Sequence, residues 1–504
     1  MPESLQKISP PHVGPDFGFV GGSDFGRTNK INASRTFNLF ISDNFLTDTY
    51  GYVKVDTLGS NQGRSIFTST RGKFLLSVVD ERVYRLTPIN LLNSPTTVFQ
   101  KTHVGTVATF TGSVFVDENE ANQIAICDQS KLYIYNWNDN TFQEAILPDG
   151  VIPGYVSFQN GFFLITDRLS SNWYLSDVND GLNWFWGGPS ANLPVNGALQ
   201  TKPDLGVAII RVAGAGNLIF VMGSTVTEPW SNVPSTLFPY QRSTSSNIDY
   251  GCVNPETLSS LDQITAWVAI NDRAGITIMY STGSAIQQVS TEGYNFKFQK
   301  LSEPQKCFAF FIKISGHLLY QLTFYGKDDN FSLIYDFTTQ KFFDATDEHF
   351  NYHILRDVAY FEGRYYGIAY RDGNLYQLGE DLYTYNYGEM GEFEKPRVRI
   401  TPNLRTPNTA YFTVTNIEIL MEQGNDPLHI IPSPSYQPRV GLSVSKNGGY
   451  DFGEVRTIPL KRLAKRSNIV KWWRLGRANE MVFKFSFFSR GPINASSGIV
   501  NVWQ

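Results

Sequence analysis

From about Asn61 to about Gly379 the sequence keeps returning to one phrase: apolar strand, tight Gly or Asn turn, aromatic strand, Gly/Asp turn, third strand. Seven stretches carry it, at 66–86, 108–137, 156–177, 207–230, 264–290, 307–336 and 358–379. Seven units over about 320 residues give a period near 46, the span of a four-stranded propeller blade. Two internal echoes support true repetition. Tyr135–Phe142 (YNWNDNTF) matches Tyr335–Phe342 (YDFTTQKF), 200 residues on, and FQNGFF at 158–163 resembles YFEGRY at 360–365. No such unit can bury its apolar face alone, but a closed ring of them leaves only short, protected sheet edges. The repeat therefore predicts an all-β chain containing a β-propeller, of seven blades, or of six if the first or last unit belongs elsewhere.

Composition agrees. Only 17% of residues are charged and 14% are aromatic, with 42 Gly and 25 Pro. Aromatic side chains suit a pleated, half-buried surface, and long windows of helical period are hardly present. At 504 residues the chain exceeds one ordinary core. After Glu380 the phrase stops, and TNIEILMEQG, PRVGLSVSKNGG and MVFKFSFF become the clearest strands. The expected division is an N-terminal arm and lead-in strand at 1–60, the propeller at 61–385, and a smaller β-sandwich-like platform domain at 386–504. Residues 1–30, rich in Pro, Gly and Ser, read as an arm ordered only where something holds it, with a floppy terminus the plainer reading and a docking arm the alternative. Arm and sandwich lie at opposite chain ends, so the N-terminal strand is expected to dock on the sandwich and fasten the two parts.

Charge is concentrated in one place. Residues 455–479 hold eight basic side chains and no acid: Arg456, Lys461, Arg462, Lys465, Arg466, Lys471, Arg474 and Arg477. The whole chain is at −4, so the remainder sums to −12 against the +8 of this crest. An acidic body at pI 5.9 is not that of a free nucleic-acid binder, whose domain is basic throughout. The crest reads as contact with a polyanion or an acidic protein face, against the plainer reading of a solvated loop. Trp472 and Trp473 sit in it. Neighbouring strand residues face opposite ways, so one is expected in the sandwich core and the other towards a partner.

Motifs for chemistry are sparse. Ser445-x-Asn447-x-Gly449-x-x-Phe452 and Asp177-x-Asn179-x-Gly181-x-x-Trp184 have aspartate-box spacing. Such boxes are hairpins whose Asx side chain satisfies turn amides, and they are structural. Glu348, His349 and His353 suggest a metal pair only on a helical turn, and the local text is not helical. Cys127, Cys252 and Cys307 have no CxxC spacing and read as buried small hydrophobes, fitting a reducing compartment. No GxSxG, Walker or GxGxxG motif occurs. The N-terminal text lacks a secretory pattern, and no apolar run approaches the roughly 18 residues of a membrane span, so a soluble protein is expected. No cofactor, metal ligand or catalytic residue is assigned.

Several islands, in matching order, carry a family likeness: Asn38-Leu39-Phe40, Arg71-Gly72-Lys73, Met222-Gly223-Ser224, Glu228 to Asn232, Phe238 to Arg242, Tyr250-Gly251-Cys252, Val289 to Glu292, Leu319 to Phe324, Ser445 to Gly449, and Trp473 to Ala478. In these the chain resembles the packaged-DNA stabilisation, or tail hub/nozzle, proteins of short-tailed bacteriophages. The arm at 1–30 and much of 380–440 lie outside the likeness. The resemblance implies a propeller joined to a platform-like β domain and a ring of six copies below the portal and its adaptor. That ring would extend the DNA channel, retain the packaged genome and support its ejection. Its place would be the virion tail, after synthesis in the host cytoplasm. Partners would be the chain itself, the adaptor ring, a tail fibre, spike or needle protein, and DNA in transit.

A sixfold ring turns eight charges into 48, and so many phosphate contacts facing the lumen would hold DNA too firmly for exit. Arg456, Lys461, Arg462, Lys465 and Arg466 are therefore assigned to partner contact, and Trp472, Trp473, Arg474 and Arg477 to the subunit interface. Two rival readings remain. One is a propeller glycosidase acting on host surface glycans, which requires convergent carboxylates and arginines in the central funnel. The other is a monomeric scaffold.

Overall fold

The computed structural model describes residues 12–13, 17–26, 33–89, 97–185, 193–235, 238–243, 248–273, 275–283, 285–406, 409–423, 437–461 and 469–503. Each of the seven repeated phrases forms a blade. The blades begin at Gly63–Ser69, Phe115–Glu118, Pro153–Gln159, Ala208–Arg211, Gly251–Cys252, Cys307–Ile314 and Leu355–Phe361, and each runs outward as an antiparallel sheet. The propeller therefore has seven blades. Their central strands are apolar on both faces because each blade is covered by the next: Phe74–Val79 and His317–Tyr325 are buried at nearly every position. Tight turns between strands fall on residues at positive φ, among them Asn160, Ser315 and Glu362, each followed by a glycine also at positive φ.

The seventh blade is completed from the other end of the chain. Gly51–Thr57, which the sequence places in the lead-in, pairs antiparallel with Asn374–Gly379, joining Gly51 to Gly379 and Tyr52 to Leu378. A ring closed this way is stitched by backbone hydrogen bonds between its first and last segments. Gly51 is needed there, since a Cβ would lie 2.3 Å from the Leu382 carbonyl oxygen. On the far side of this strand, Thr384–Asn386 pairs in parallel and turns back into Glu392–Glu394, so the blade's sheet extends to residue 394.

A second splice joins propeller to sandwich. Arg35–Phe37 pairs in parallel with Lys341–Ala345 of the sixth blade and antiparallel with Arg397–Ile400. From there the same sheet continues through Glu480–Phe488, Arg439–Ser445 and Arg456–Pro459. The opposing sheet runs Leu39–Ser42, Phe45–Asp48, Asn494–Trp503, Phe412–Met421, Ile469–Ala478, and His12–Val13 adds to its Asn494–Trp503 strand. Between the sheets, Val414, Ile417, Val440, Leu442, Phe483, Phe485 and Val500 form one buried core.

The arm is held over 17–26. Phe17 and Phe19 are buried against Phe483 and Phe485, with ring centroids 5.7 Å and 5.0 Å apart in edge-on pairs. The buried Arg399 guanidinium donates to the carbonyls of Phe19 (2.8 Å), Gly22 (2.9 Å) and Gly18. At the junction, Asp48 sits between two fully buried cations, Lys395 (3.1 Å) and Arg397. Burial, partly offset by Asp48, brings the Lys395 ammonium down to about 8.

Candidate functional site

The crest lies at the edge of the sandwich, where Ile469–Ala478 pairs on one side only among the described residues. Here a bulge re-aims the side chains. Asn416 faces Trp473 and Val414 faces Gly476, so Arg474 and Leu475 both stand opposite Thr415. Arg474 takes φ 59° at this step and Gly476 φ 95°. As a result Trp473 and Arg474 are exposed side by side, which a regular strand forbids.

Trp472 points inward. It is 3% exposed, packs on Phe485 at 5.7 Å and donates Nε1–H to the Arg456 carbonyl at 2.8 Å. Of the two tryptophans assigned to an interface, only Trp473, 55% exposed, can reach another chain. The Lys471 ammonium lies 4.0 Å above its ring and pairs with Glu418. Arg477 reaches over the exposed Tyr411 ring at 5.5 Å. The Arg456 guanidinium turns onto the strand edge and donates to the carbonyls of Trp473 (2.6 Å) and Arg474 (3.3 Å), so it caps the edge as well as charging it. The Lys461 side chain is exposed while its backbone N–H is fixed by Gln423 at 3.0 Å. Arg462, Lys465 and Arg466 lie outside the described residues.

The propeller funnel is the second concentration of charge, and sequence reading named none of its residues. Its innermost strands enclose about 360 Å³ lined by Arg64, Asp117, Tyr155, Arg211, Glu256, Arg356 and Asp357, among others. Arg356 of the seventh blade crosses to Glu256 beside the fifth, with contacts of 2.7 and 3.1 Å, and Ser113 donates to the same carboxylate. Arg64 spends its donors on Asp80, Thr109, Thr111 and Gly112. Burial and the nearby Arg356 bring it down to about 10. Asp117 accepts the Phe158 N–H (2.7 Å) from the third blade, and Asp357 accepts the Ile66 N–H (3.0 Å) from the first. Both are blade-to-blade staples, and burial holds both carboxyls up at about 6 despite those bonds. The residue types a glycosidase needs are thus present, with Glu256, Arg64 and Arg356 already engaged by protein.

The remaining sequence candidates separate. His353 is buried among Tyr50, Tyr52 and Tyr385, and burial holds it at about 3, whereas the His349 ring is exposed beside Glu348 at 3.6 Å. All three cysteines are buried, and burial pushes Cys127 and Cys252 up to about 12. Trp184 of one aspartate-box turn is fully buried between blades, its Nε1–H on the Gly181 carbonyl at 2.8 Å. In the other, Ser445 Oγ accepts the Gly449 N–H at 2.9 Å. Both turns are scaffolding.

A family model for the β-propeller of bacteriophage P22 Gp10, a phage stabilisation protein, matches residues 25–317, more than half of the chain. The chain belongs to the P22 Gp10 family. It is a phage structural protein of the packaged-DNA stabilisation class, which places it among virion components and their assembly partners. None of the curated proteins compared matches it. Among solved structures, the N-terminal domain of Nup159 is similar at 10% identity and TM-score 0.39, over 69% of this chain and 99% of that one. A catalytically inactive virginiamycin B lyase from Staphylococcus aureus with quinupristin aligns at 10% identity and TM-score 0.41, over 66% and 98%. Likeness at this level carries no argument about activity. In this Gp10-family chain the Glu228-Pro229-Trp230 island is a packing device. The buried Glu228 accepts from Gln200 and Thr201 and pairs with Arg242 at 3.2 Å, while Trp230 meets Trp173 edge-on at 5.3 Å.

Proposed function

We propose that the chain is a subunit of the tail hub or nozzle: a ring of six copies that continues the DNA channel below portal and adaptor, retains the packaged genome and supports its ejection. In this reading 61–385 is the propeller, closed by the lead-in strand Gly51–Thr57 and edged by the hairpin that ends at Glu394, with the rest of 386–504 the platform and the N-terminal segment the strap between them. The observation that carries it is the wiring of the funnel. The funnel is crossed by the Arg356–Glu256 pair, which links the seventh blade to the segment beside the fifth, and a duplex, wider than the roughly 12 Å of its major groove, has no passage there. In this reading the DNA channel runs between copies, in a ring. The outward crest, with Trp473, Arg474 and Arg477 at its centre and Arg456 and Lys461 beside them, supplies the contact surface for neighbouring subunits and for adaptor, fibre, spike or needle proteins. The test is genome retention. Particles carrying alanine at Arg456, Lys461, Arg474 and Arg477 should assemble poorly or lose DNA, measured as nuclease-accessible genome per particle. Full particles that keep their DNA would remove the crest from the mechanism.

A second reading, glycan hydrolysis in the funnel, is favoured by Asp117, Glu256 and Asp357 converging there. Release of sugar from a sialoside or host polysaccharide, lost in Asp117→Asn and Asp357→Asn, would establish it. Turnover absent in the full-length chain leaves those groups as staples.

A further inference from the structure

The hairpin Thr384–Asn386/Glu392–Glu394 forms the free outer edge of the seventh blade's sheet. Residues 380–394 carry Glu380, Asp381, Glu389, Glu392 and Glu394 and no basic residue. Met390 at its turn is 63% exposed and Phe393 39%, so an apolar tip projects from an acidic base. Asp381 and Glu389 are exposed and have no ion-pair partner among the described residues. This is the charge complement of the crest's centre, where the exposed Trp473 stands beside Arg474, with Arg477 further along the same strand.

The two surfaces cannot meet within one chain. Arg397, bonded to Asp48 and to the Tyr383 carbonyl, and Arg490, 3.9 Å from Glu392, fix the hairpin beside the Phe45–Asp48 strand. The crest is on the Ile469–Ala478 strand, at the opposite end of the order Phe45–Asp48, Asn494–Trp503, Phe412–Met421, Ile469–Ala478. Thr47 faces Asn494, and Trp473 faces Asn416, which faces Asn501. Thr47 and Trp473 are thus about 14 Å apart across the sheet and about 23 Å along it, whereas Ile469, at the near end of the crest strand, stands in the row of Phe45, about 14 Å across. The hairpin's flank and the Trp473–Arg477 part of the crest therefore occupy diagonally opposite corners.

We propose that the acidic hairpin of one copy docks on the basic crest of the next. The proposal rests on the ring reading and names its contact. Different patches on each copy make the interface heterologous, the type that closes into a ring when its rotation divides a full turn. Met390, Phe393 and Trp473 form its dry centre, and the charges its rim, where they set register and encounter rate. This occupant also accounts for the crest's charge without placing it on DNA.

The test is a charge exchange in the full-length chain. Glu389→Lys/Glu392→Lys/Glu394→Lys and, separately, Arg456→Glu/Arg474→Glu/Arg477→Glu should each weaken self-association at least tenfold by light scattering. Each variant must melt as the wild type does. Mixed one to one, the variants should reassociate, because an alternating ring restores attraction at every contact. Zero-length carbodiimide coupling in a ¹⁴N/¹⁵N mixture should link Glu389, Glu392 or Glu394 of one copy to Lys461 or Lys471 of another. Self-association that both variants leave intact overturns the proposal and leaves the ring standing. A wild-type chain that neither associates nor cross-links between copies overturns both.

Discussion

Arg399→Met is expected to release the N-terminal arm while both β-structures stay folded. In the wild type the guanidinium satisfies the carbonyls of Gly18, Phe19 and Gly22 and the Thr36 hydroxyl from a buried position. Methionine fills similar space but donates nothing. Gly22 keeps the Ser34 hydroxyl at 3.0 Å, so the loss falls on the buried Phe19 carbonyl and the partly buried Gly18 carbonyl. A buried carbonyl deprived of its donor costs about 1–3 kcal/mol, which makes the penalty about 1–6 kcal/mol. Against this, burying Phe17 and Phe19 contributes about 1.5–3 kcal/mol each. The desolvation penalty is comparable with the burial gain, so the arm's hold becomes marginal and its carbonyls return to water whenever it lifts. Because undocking is always open as the escape, the measured loss of stability should not exceed the two-phenylalanine figure, roughly 3–6 kcal/mol. Hydrogen exchange of residues 17–26 is the assay: amides there should exchange far faster in the variant, while Phe74–Val79 stays protected. Arg399→Lys should fall between, since a point charge cannot span three acceptors. An arm still protected in Arg399→Met would refute the reasoning and place the arm's anchor in its aromatic contacts.

Three groups set an opposed pH profile. Asp117 and Asp357, held at about 6 by burial, lie above the ordinary aspartate value of about 3.9, so their contribution is fully present below 3.9 and lost as pH rises through 6. His353, held at about 3, contributes stability that is present above its ordinary value of about 6.5 and lost as pH falls. Denaturant melts of Asp117→Asn/Asp357→Asn should therefore lose stability on acidification from pH 7 to 4, whereas His353→Gln should gain it; parallel curves for the two would dismiss these assignments. Trp472→Ala should cost about 3–5 kcal/mol for a core tryptophan, while Trp473→Ala should stay within about 0.5 kcal/mol in a chemical melt. Equal losses would contradict their opposite facing.

The blades were legible because everything that makes one is local: alternation along a strand, an Asn or Gly that tolerates positive φ, an aromatic that re-enters. Gly51–Thr57 and Arg35–Phe37 were not, because their partners lie some 300 residues away and no local pattern announces them. A floppy terminus was the plainer reading of residues 1–30, because the arm's holder, Arg399, looks in sequence like any basic residue of a polar strand. The funnel was missed for a related reason. Asp117 and Asp357 are single acids on separate blades, and only ring closure brings them to one cavity. At the crest, alternation correctly sent Trp472 and Trp473 to opposite faces, but nothing in the sequence marked the bulge that leaves Arg474 beside Trp473.

That bulge allows stability and assembly to be separated at one position. Arg474 sits at φ 59°, a left-handed conformation that costs a residue with a Cβ about 1–2 kcal/mol. Glycine relieves this strain, while its greater freedom in the unfolded chain returns about 0.5–1 kcal/mol of the gain. Arg474→Gly should therefore be neutral to about 1.5 kcal/mol more stable in the isolated chain. The arginine side chain is exposed, and its guanidinium has no ion-pair partner among the described residues, so the fold loses nothing when it goes. If its use is at the contact between copies, the same variant should associate more weakly, and the loss should shrink in high salt as screening removes what the charge supplied. A variant more stable yet less able to assemble is the expected pair of results. A destabilised Arg474→Gly would make the side chain part of the fold. Unchanged association at low salt would remove Arg474 from the interface while leaving its strained backbone without a use.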